Sequence, residues 1–208
     1  MTSKQAALKH FKRADPHFHK ATLPHHRTLP ERLPERSTGL ELFAALARTV
    51  VSQQLGTAAA STIYERLKKV CKGRVSPEAL LKASPAALRA AGLSGSKSKT
   101  LKEIAKAVKS GKLNLLGLKK ISEAEAEERL TAIWGLGPWS AEMFLMFSAG
   151  RPDIFSAGDL GLARGIEMIY KLPKNTSREK LLKISQKWAP HRTYASLLLW
   201  ETRDAKPN

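Results

Sequence analysis

Two features of the sequence have residue types and a spacing that could support chemistry: a Gly-Leu-Gly-Pro turn and an aspartate that follows it. Gly135 and Gly137 lack a Cβ and can adopt positive φ, so two apolar segments can be joined here by a tight hairpin with outward-facing amides. Pro138 suits the first turn of the second helix, where a missing N–H costs nothing. Because a helix N-terminus carries partial positive charge, the hairpin predicts a site for one phosphate. The residues expected to bind it are Gly135, Leu136, Gly137 and Trp139.

The aspartate is Asp159, which lies 20 residues after Trp139, beyond a turn that contains glycine and proline. Aspartate is among the preferred helix N-caps, so Asp159 could serve only to start a helix near Leu160. The alternative is a catalytic carboxylate. The two roles are compatible because a helix N-terminus stabilises negative charge.

The charge of the chain indicates the class of partner. It has 36 Lys and Arg residues against 18 Asp and Glu residues, which gives a formal net charge of +18. An excess of this size favours binding to a polyanion, although association with a ribosome or a membrane surface would require the same sign. An apolar content of 42% argues against a disordered basic tail.

Cysteine content and hydropathy exclude several classes of protein. Cys71 stands alone, so there is no disulfide framework, Cys-rich zinc site or four-Cys iron–sulfur cluster. His17, His19, His25 and His26 have no cysteine or well-spaced carboxylate to complete a zinc site, so a solvated or packing role is favoured. Without a long apolar run or an apolar signal segment, the chain is expected to be intracellular and cytoplasmic, and associated with the nucleoid if bacterial.

Helical periodicity dominates from Leu40 onward, and no run alternates as a β-strand would. We therefore expect an all-α, two-lobed helical bundle in which a helix-hairpin-helix motif is followed by a Gly/Pro turn and Asp159. Residues 1–39 predict a basic helix and a proline-rich extended segment packed on the body. The body is residues 40–208, with lobes of about 40–118 and 119–208, and the N-terminal segment is expected to join the second lobe.

Four separated motifs occur in a specific order. They are VSQQL at 51–55, GLGPWSAEM at 135–143, GDLG at 158–161, and WAPHRTY at 188–194 followed by Trp200. Over about residues 40–203 the chain resembles the helix-hairpin-helix DNA glycosylases, and most closely the 3-methyladenine DNA glycosylase II branch, in a short form without an N-terminal β domain. The resemblance implies a base-excision repair enzyme. Such an enzyme flips an alkylated purine, such as 3-methyladenine or 7-methylguanine, out of duplex DNA and hydrolyses its N-glycosidic bond.

The resemblance also implies the roles of the chemical residues. Asp159 corresponds to the family's catalytic carboxylate, which would stabilise the positive charge that develops on the sugar. Trp139 stands where bifunctional relatives carry a Schiff-base lysine, which implies a monofunctional hydrolase without lyase activity. Trp139 and Trp200 match aromatic positions of the base pocket, and Met143 lies one helical turn after Trp139. A cationic base over an indole face would gain roughly 0.5–2 kcal/mol. Trp134 and Trp188 are interpreted as ordinary core residues.

Leu55 aligns with the wedge residue that the family inserts where the base was, and Gln54 and Gln53 could contact the flanking pair. From the sequence alone Leu55 could equally be a core residue at the end of a helix. Lys97 and Lys99 open another helix, either as phosphate contacts or as a solvated helix start.

The expected partner is duplex DNA containing a damaged base, bound by a monomer with no membrane association. No cofactor is required. The family's hairpin often holds a sodium or potassium ion through backbone carbonyls, here those of Ile133 and Gly135. Two alternatives stay open: a non-catalytic helix-hairpin-helix DNA-binding protein, and a glycosylase of the same fold for deaminated or oxidised bases. The sequence does not rank the lesions.

Overall fold

The computed structural model describes residues 1–205, and within that range it contains α-helices and short 3-10 helices but no strand. The all-α prediction is confirmed. No helix in the described part of the chain is both long enough and apolar enough to cross a membrane. The helices in chain order are α1 (Ser3–Ala14), α2 (Pro16–Ala21), α3 (Gly39–Ser52), α4 (Thr57–Val70), α5 (Pro77–Lys82), α6 (Pro85–Ala90), α7 (Gly95–Lys109), α8 (Glu123–Thr131), α9 (Pro138–Phe147), α10 (Leu160–Tyr170), α11 (Arg178–Ser185) and α12 (Arg192–Asp204).

The chain divides into two units. The central unit comprises Glu35–Ala149, and the terminal unit comprises Met1–Pro34 together with Gly150–Asn208. The N-terminal segment therefore joins the second unit, but the boundary lies after residue 149 and not near the expected residue 118. The physical reason is that α9 is apolar on most of its surface and packs against both α3 and α8. Its buried side chains make the hairpin part of the central unit's core.

Local signals account for most of the helix starts in the central unit. Thr38 and Glu41 form a capping box at α3, in which the Thr38 hydroxyl accepts from the Glu41 N–H and the Glu41 carboxylate accepts from the Thr38 N–H. At the starts of α5, α6, α7 and α8 a serine hydroxyl accepts from a backbone N–H of the first turn, without the reciprocal contact; these serines are Ser76, Ser84, Ser94 and Ser122. The apolar stripe of α3, which includes Leu42, Leu46 and Val50, is fully buried.

In the terminal unit, α10 packs against α12, and the N-terminal segment supplies part of the core. The expected extended segment after the first helix begins later than predicted, because Asp15 accepts from the Phe18 N–H and caps a second helix that starts at Pro16. Phe18 packs 4.5 Å from Trp188, centroid to centroid. Asp15 also accepts a 2.5 Å hydrogen bond from the Tyr170 hydroxyl, which ties the segment to the end of α10.

Candidate active site and nucleic-acid interface

The hairpin between α8 and α9 is built around Gly135, whose φ is +84°. A Cβ at this position would overlap the Thr100 hydroxyl, so both the backbone conformation and the packing require glycine. The expectation for Gly137 differs from the structure: its φ is −91°, and it is the extended N-cap of α9. Gly137 has no side chain to cap α9, and Pro138 has no N–H. The start of α9 is therefore suited to an external anion.

Leu136 does not match its expected role as a phosphate contact. Its N–H donates to the Ile133 carbonyl at 3.1 Å within the turn, and its side chain is buried. Gly135, Gly137 and Trp139 are exposed, as the prediction requires. Leu136 therefore anchors the turn in the core, and its neighbours face solvent.

Lys97 and Lys99, the two lysines in the first turns of α7, have different surroundings. The Lys99 ammonium lies 4.0 Å from the centroid of the Trp134 ring, in a cation–π contact. Trp134 is 48% exposed, so its interpretation as a core residue is wrong, whereas Trp188 is fully buried as predicted. Lys97 points into the protein, where its Nζ donates to the carbonyls of Val51 and Gln53 at 2.7 and 2.8 Å. This geometry differs from the phosphate contact expected for Lys97.

The predicted wedge residue lies on an exposed turn. Helix α3 ends at Ser52, Gln54 has a φ of +55°, and Leu55 is 39% exposed. These observations exclude the alternative that Leu55 is a core residue at a helix end. Gln53 points inward, since its Nε2 donates to the Ser140 Oγ at 2.8 Å and to the Gly135 carbonyl at 3.3 Å. Gln53 therefore joins the turn to the hairpin, in place of the expected contact with a flanking base pair.

A cavity of about 560 Å³ lies within the central unit, between α9 and α3. Trp139, Met143 and Phe147 line it at successive turns of α9. The proposed pocket residues Trp139 and Met143 are thus brought together. Arg48 of α3 also lines the cavity and lies over the Tyr64 ring at 5.2 Å. We did not predict Arg48 or Phe147, although the four-residue spacing after Trp139 and Met143 is a signal for Phe147.

Asp159, in the terminal unit, is the N-cap of α10. Its Oδ1 accepts two hydrogen bonds of 3.0 Å, one from the Leu162 N–H and one from the Trp200 Nε1–H. The capping role is therefore real, and the carboxylate is also oriented by a side chain of α12. Trp200 uses its indole N–H for this purpose, a role that the sequence did not indicate.

Gly161 allows this close arrangement, and we did not predict its contribution. A Cβ on Gly161 would lie 2.9 Å from Trp200 Cδ1 and 3.0 Å from Asp159 Oδ1, and it would overlap the Arg203 guanidinium. Arg203 lies about one turn beyond Trp200 on α12, and its guanidinium also borders Gly161. The only signal in the sequence was the GDLG motif that contains Gly161.

The residues of the hairpin accommodate an alkali ion only in part. The Ile133 carbonyl accepts from the Leu136 N–H, and the Gly135 carbonyl accepts from Gln53, so one lone pair of each oxygen is already used. The expected ion would have to bind the second lone pairs, and it stays a prediction. Within residues 1–205, no group of three or more His, Cys, Asp and Glu side chains could hold a metal ion, and this holds for the N-terminal histidines too.

Comparisons with known proteins agree with this geometry. The family described as HhH-GPD superfamily base excision DNA repair protein matches residues 47–191, more than half of the chain. The chain is 37% identical over 176 residues to DNA-3-methyladenine glycosylase 1 of Schizosaccharomyces pombe, covering 83% of this chain and 76% of that protein. The chain is also 29% identical over 171 residues to the DNA-3-methyladenine glycosylase of Bacillus subtilis. This match covers 77% of this chain and 56% of that protein, so the chain spans little more than half of that relative.

Two solved structures share the fold over nearly the whole chain. A DNA-3-methyladenine glycosidase from Bacillus halodurans matches with a TM-score of 0.83 and 34% identity, covering 99% of this chain and 92% of that one. The S. pombe 3-methyladenine DNA glycosylase Mag1, in complex with abasic DNA, matches with a TM-score of 0.82 and 34% identity, covering 94% and 95%. The hairpin, the oriented aspartate and these similarities lead to one conclusion: the chain belongs to the HhH-GPD superfamily of base excision DNA repair proteins and is a DNA glycosylase.

Proposed function

We propose that the chain is a monofunctional glycosylase that hydrolyses the N-glycosidic bond of alkylated purines, such as 3-methyladenine and 7-methylguanine, in duplex DNA. Relatives and solved structures that are similar to it are named for 3-methyladenine. The observation that carries the proposal is the orientation of the Asp159 carboxylate, whose Oδ1 is held by Leu162 and Trp200.

The chemistry follows from this carboxylate. As the bond between sugar and base breaks, positive charge develops on the sugar, and a carboxylate already fixed in place stabilises it without reorganisation. The two donors on Oδ1 stop the carboxylate from rotating. It can then face the sugar and orient the attacking water. An alkylated purine already carries a positive charge and leaves as a neutral base, so no dedicated general acid is required.

Trp139 supports both the substrate class and the lack of lyase activity. It has no amine, so it cannot form a Schiff base with the sugar. With Met143 and Phe147 it presents an apolar, polarisable wall to the cavity. An indole face attracts a cationic base by roughly 0.5–2 kcal/mol more than a neutral one, which would favour alkylated over normal purines.

Duplex binding would use the exposed part of the hairpin and the wedge turn. Gly135 and Gly137 offer backbone amides near the start of α9, where a phosphate oxygen can bind. Leu55 would fill the space left by the extruded base, which offsets part of the few kcal/mol lost on unstacking. We propose that the chain acts as a monomer on damaged duplex and requires no cofactor. A sodium or potassium ion on the Ile133 and Gly135 carbonyls would add a bridge between the hairpin and a phosphate.

Asp159→Asn tests the catalytic role. Asparagine caps helices as well as aspartate does and keeps an oxygen for Leu162 and Trp200, so the fold and DNA binding should be retained. Because the negative charge is lost, single-turnover release of 3-methyladenine or 7-methylguanine should be slower by about 10²-fold or more. Glu179→Gln, which removes one exposed carboxylate from α11, is the matched control and should release base at the wild-type rate.

Two further measurements define the reaction. Base release from a panel of alkylated, deaminated and oxidised duplexes should be fastest for the alkylated purines. Borohydride should trap no covalent adduct between the protein and DNA. Undiminished base release by Asp159→Asn would remove this residue from the mechanism, and a trapped adduct would contradict the absence of a Schiff base.

A further inference from the structure

The start of the turn that carries Leu55 is held by hydrogen bonds to two other elements, α7 and the hairpin. We infer that Lys97 is a positioning residue that holds this turn in register with the phosphate-binding hairpin, acting through Gln53. This inference rests on the proposed function, because it assigns Lys97 to the step in which the target base is extruded. It gives Lys97 a role in place of the phosphate contact that its position at a helix start suggests.

The first set of hydrogen bonds is at the end of α3. The last carbonyls of a helix have no partner within the helix, and a lysine side chain can satisfy them. The Lys97 Nζ donates to the Val51 carbonyl at 2.7 Å and to the Gln53 carbonyl at 2.8 Å. Burial lowers the pKa of Lys97, because an ammonium withdrawn from water is less favourable. Two charge-assisted hydrogen bonds offset that loss of solvation.

The second set of hydrogen bonds joins Gln53 to the hairpin. Its side-chain amide donates to the Ser140 Oγ at 2.8 Å and to the Gly135 carbonyl at 3.3 Å. Lys97 therefore holds the backbone of Gln53, and the side chain of Gln53 holds the hairpin. All of these residues lie in the central unit. Gln53 is thus hydrogen-bonded both to the start of α7 and to the hairpin.

The conformation of the turn explains why these hydrogen bonds are needed to hold it. Gln54 adopts a left-handed conformation with φ of +55°, which is unfavourable for a residue with a Cβ. Such a conformation persists where its surroundings determine it. Leu55 follows directly; its N–H donates to the Ser52 carbonyl at 3.2 Å, and its side chain is exposed. Without the Lys97 contacts, we expect the turn to relax and Leu55 to lose its fixed orientation.

This arrangement has a consequence for base extrusion. A phosphate bound at the hairpin fixes the DNA backbone relative to Gly135, and Gln53 fixes the turn relative to the same glycine. Leu55 then enters the duplex at a set distance from the anchored phosphate. A loose turn would still allow the chain to bind DNA, but it would stabilise the extruded state less.

The experiment compares Lys97→Met with Lys106→Met, which removes the same charge from an exposed position on the same helix. We expect Lys97→Met to bind undamaged duplex as the control does, with the same dependence on salt. Single-turnover base release from a fully paired site should be slower by about ten- to hundredfold, the effect of losing one or two charge-assisted hydrogen bonds. The loss should be less than about threefold when the target base is in a bulge, because that base is already unstacked.

Lys97→Arg, which keeps donors for both carbonyls, should recover part of the rate. Ser140→Ala, which removes one acceptor of Gln53, should give a smaller loss of the same kind and serves if Lys97→Met does not fold. An equal loss on paired and bulged substrates would overturn the inference. So would a salt slope reduced by about 0.9 relative to Lys106→Met, since that change marks a lost phosphate contact.

Failure of the proposed function would look different. In that case the wild-type chain would release no base from any duplex. The position of Leu55 can still be followed by the fluorescence of 2-aminopurine beside the lesion, which rises when the neighbouring base unstacks. We expect wild type and Lys106→Met to raise this fluorescence and Lys97→Met to raise it less. An equal rise in all three would refute the role of Lys97 independently of catalysis.

Discussion

Gly161→Ala separates helix stability from the geometry of the catalytic carboxylate. Alanine is favoured over glycine in helices by about 1 kcal/mol, so propensity alone predicts a more stable α10. Packing opposes this gain, because the new Cβ would lie 2.9 Å from Trp200 Cδ1 and 3.0 Å from Asp159 Oδ1. The third neighbour, the end of Arg203, is flexible and can move at little cost.

The magnitudes decide what the assay should show. Overpacking costs about 1–3 kcal/mol, so the net change in the free energy of unfolding should fall within about 2 kcal/mol of wild type. The neighbours can relax by a few tenths of an ångström, which shifts the Asp159 carboxylate or the Trp200 indole that holds it. Since a misplacement of about 1 Å can cost 10²-fold in rate, we expect base release to be slower by about tenfold.

The measurement is single-turnover release of an alkylated purine, beside urea unfolding of the same variant. Gly158→Ala is the control, because a Cβ at this exposed position next to Asp159 meets nothing within 4 Å. It should change the rate by less than about threefold, as expected for a surface substitution. Wild-type base release by Gly161→Ala would refute the argument that this gap sets the position of the carboxylate.

Two further predictions concern binding and stability. Gly135→Ala should destabilise the chain by about 1–3 kcal/mol and weaken duplex binding, because the positive φ and the Thr100 hydroxyl both exclude a Cβ. Urea unfolding and binding titrations measure the two effects. A variant as stable as wild type would contradict the prediction. Burial is the main cause that lowers the pKa of His19, His26 and His191. The unfolded chain then binds more protons than the native chain at pH values below about 6.5, so the melting temperature should fall as the pH is lowered from about 7.5 to 5.5. A melting temperature independent of pH in this window would contradict the prediction.

Much of the fold follows from local patterns. The hydroxyls that cap helices, the prolines at helix starts and the apolar stripe of α3 act between residues close in sequence, so they can be identified without a structure. The same holds for the hairpin and for the cap at Asp159. The lobe boundary could not be placed in this way, because it depends on which helices the apolar surface of α9 contacts.

The sequence by itself determined an all-helical, strongly basic chain with a glycine hairpin and an aspartate at a helix start. Only the tertiary structure decided what the side chains around these features do. Lys97 reaches carbonyls at 51 and 53, Gln53 reaches Ser140, and Trp200 reaches Asp159, each across about forty residues or more. The direction of a long polar side chain depends on which acceptor the packing of other helices brings near it. Periodicity and capping rules contain no information about which acceptors that packing brings within reach of a side chain.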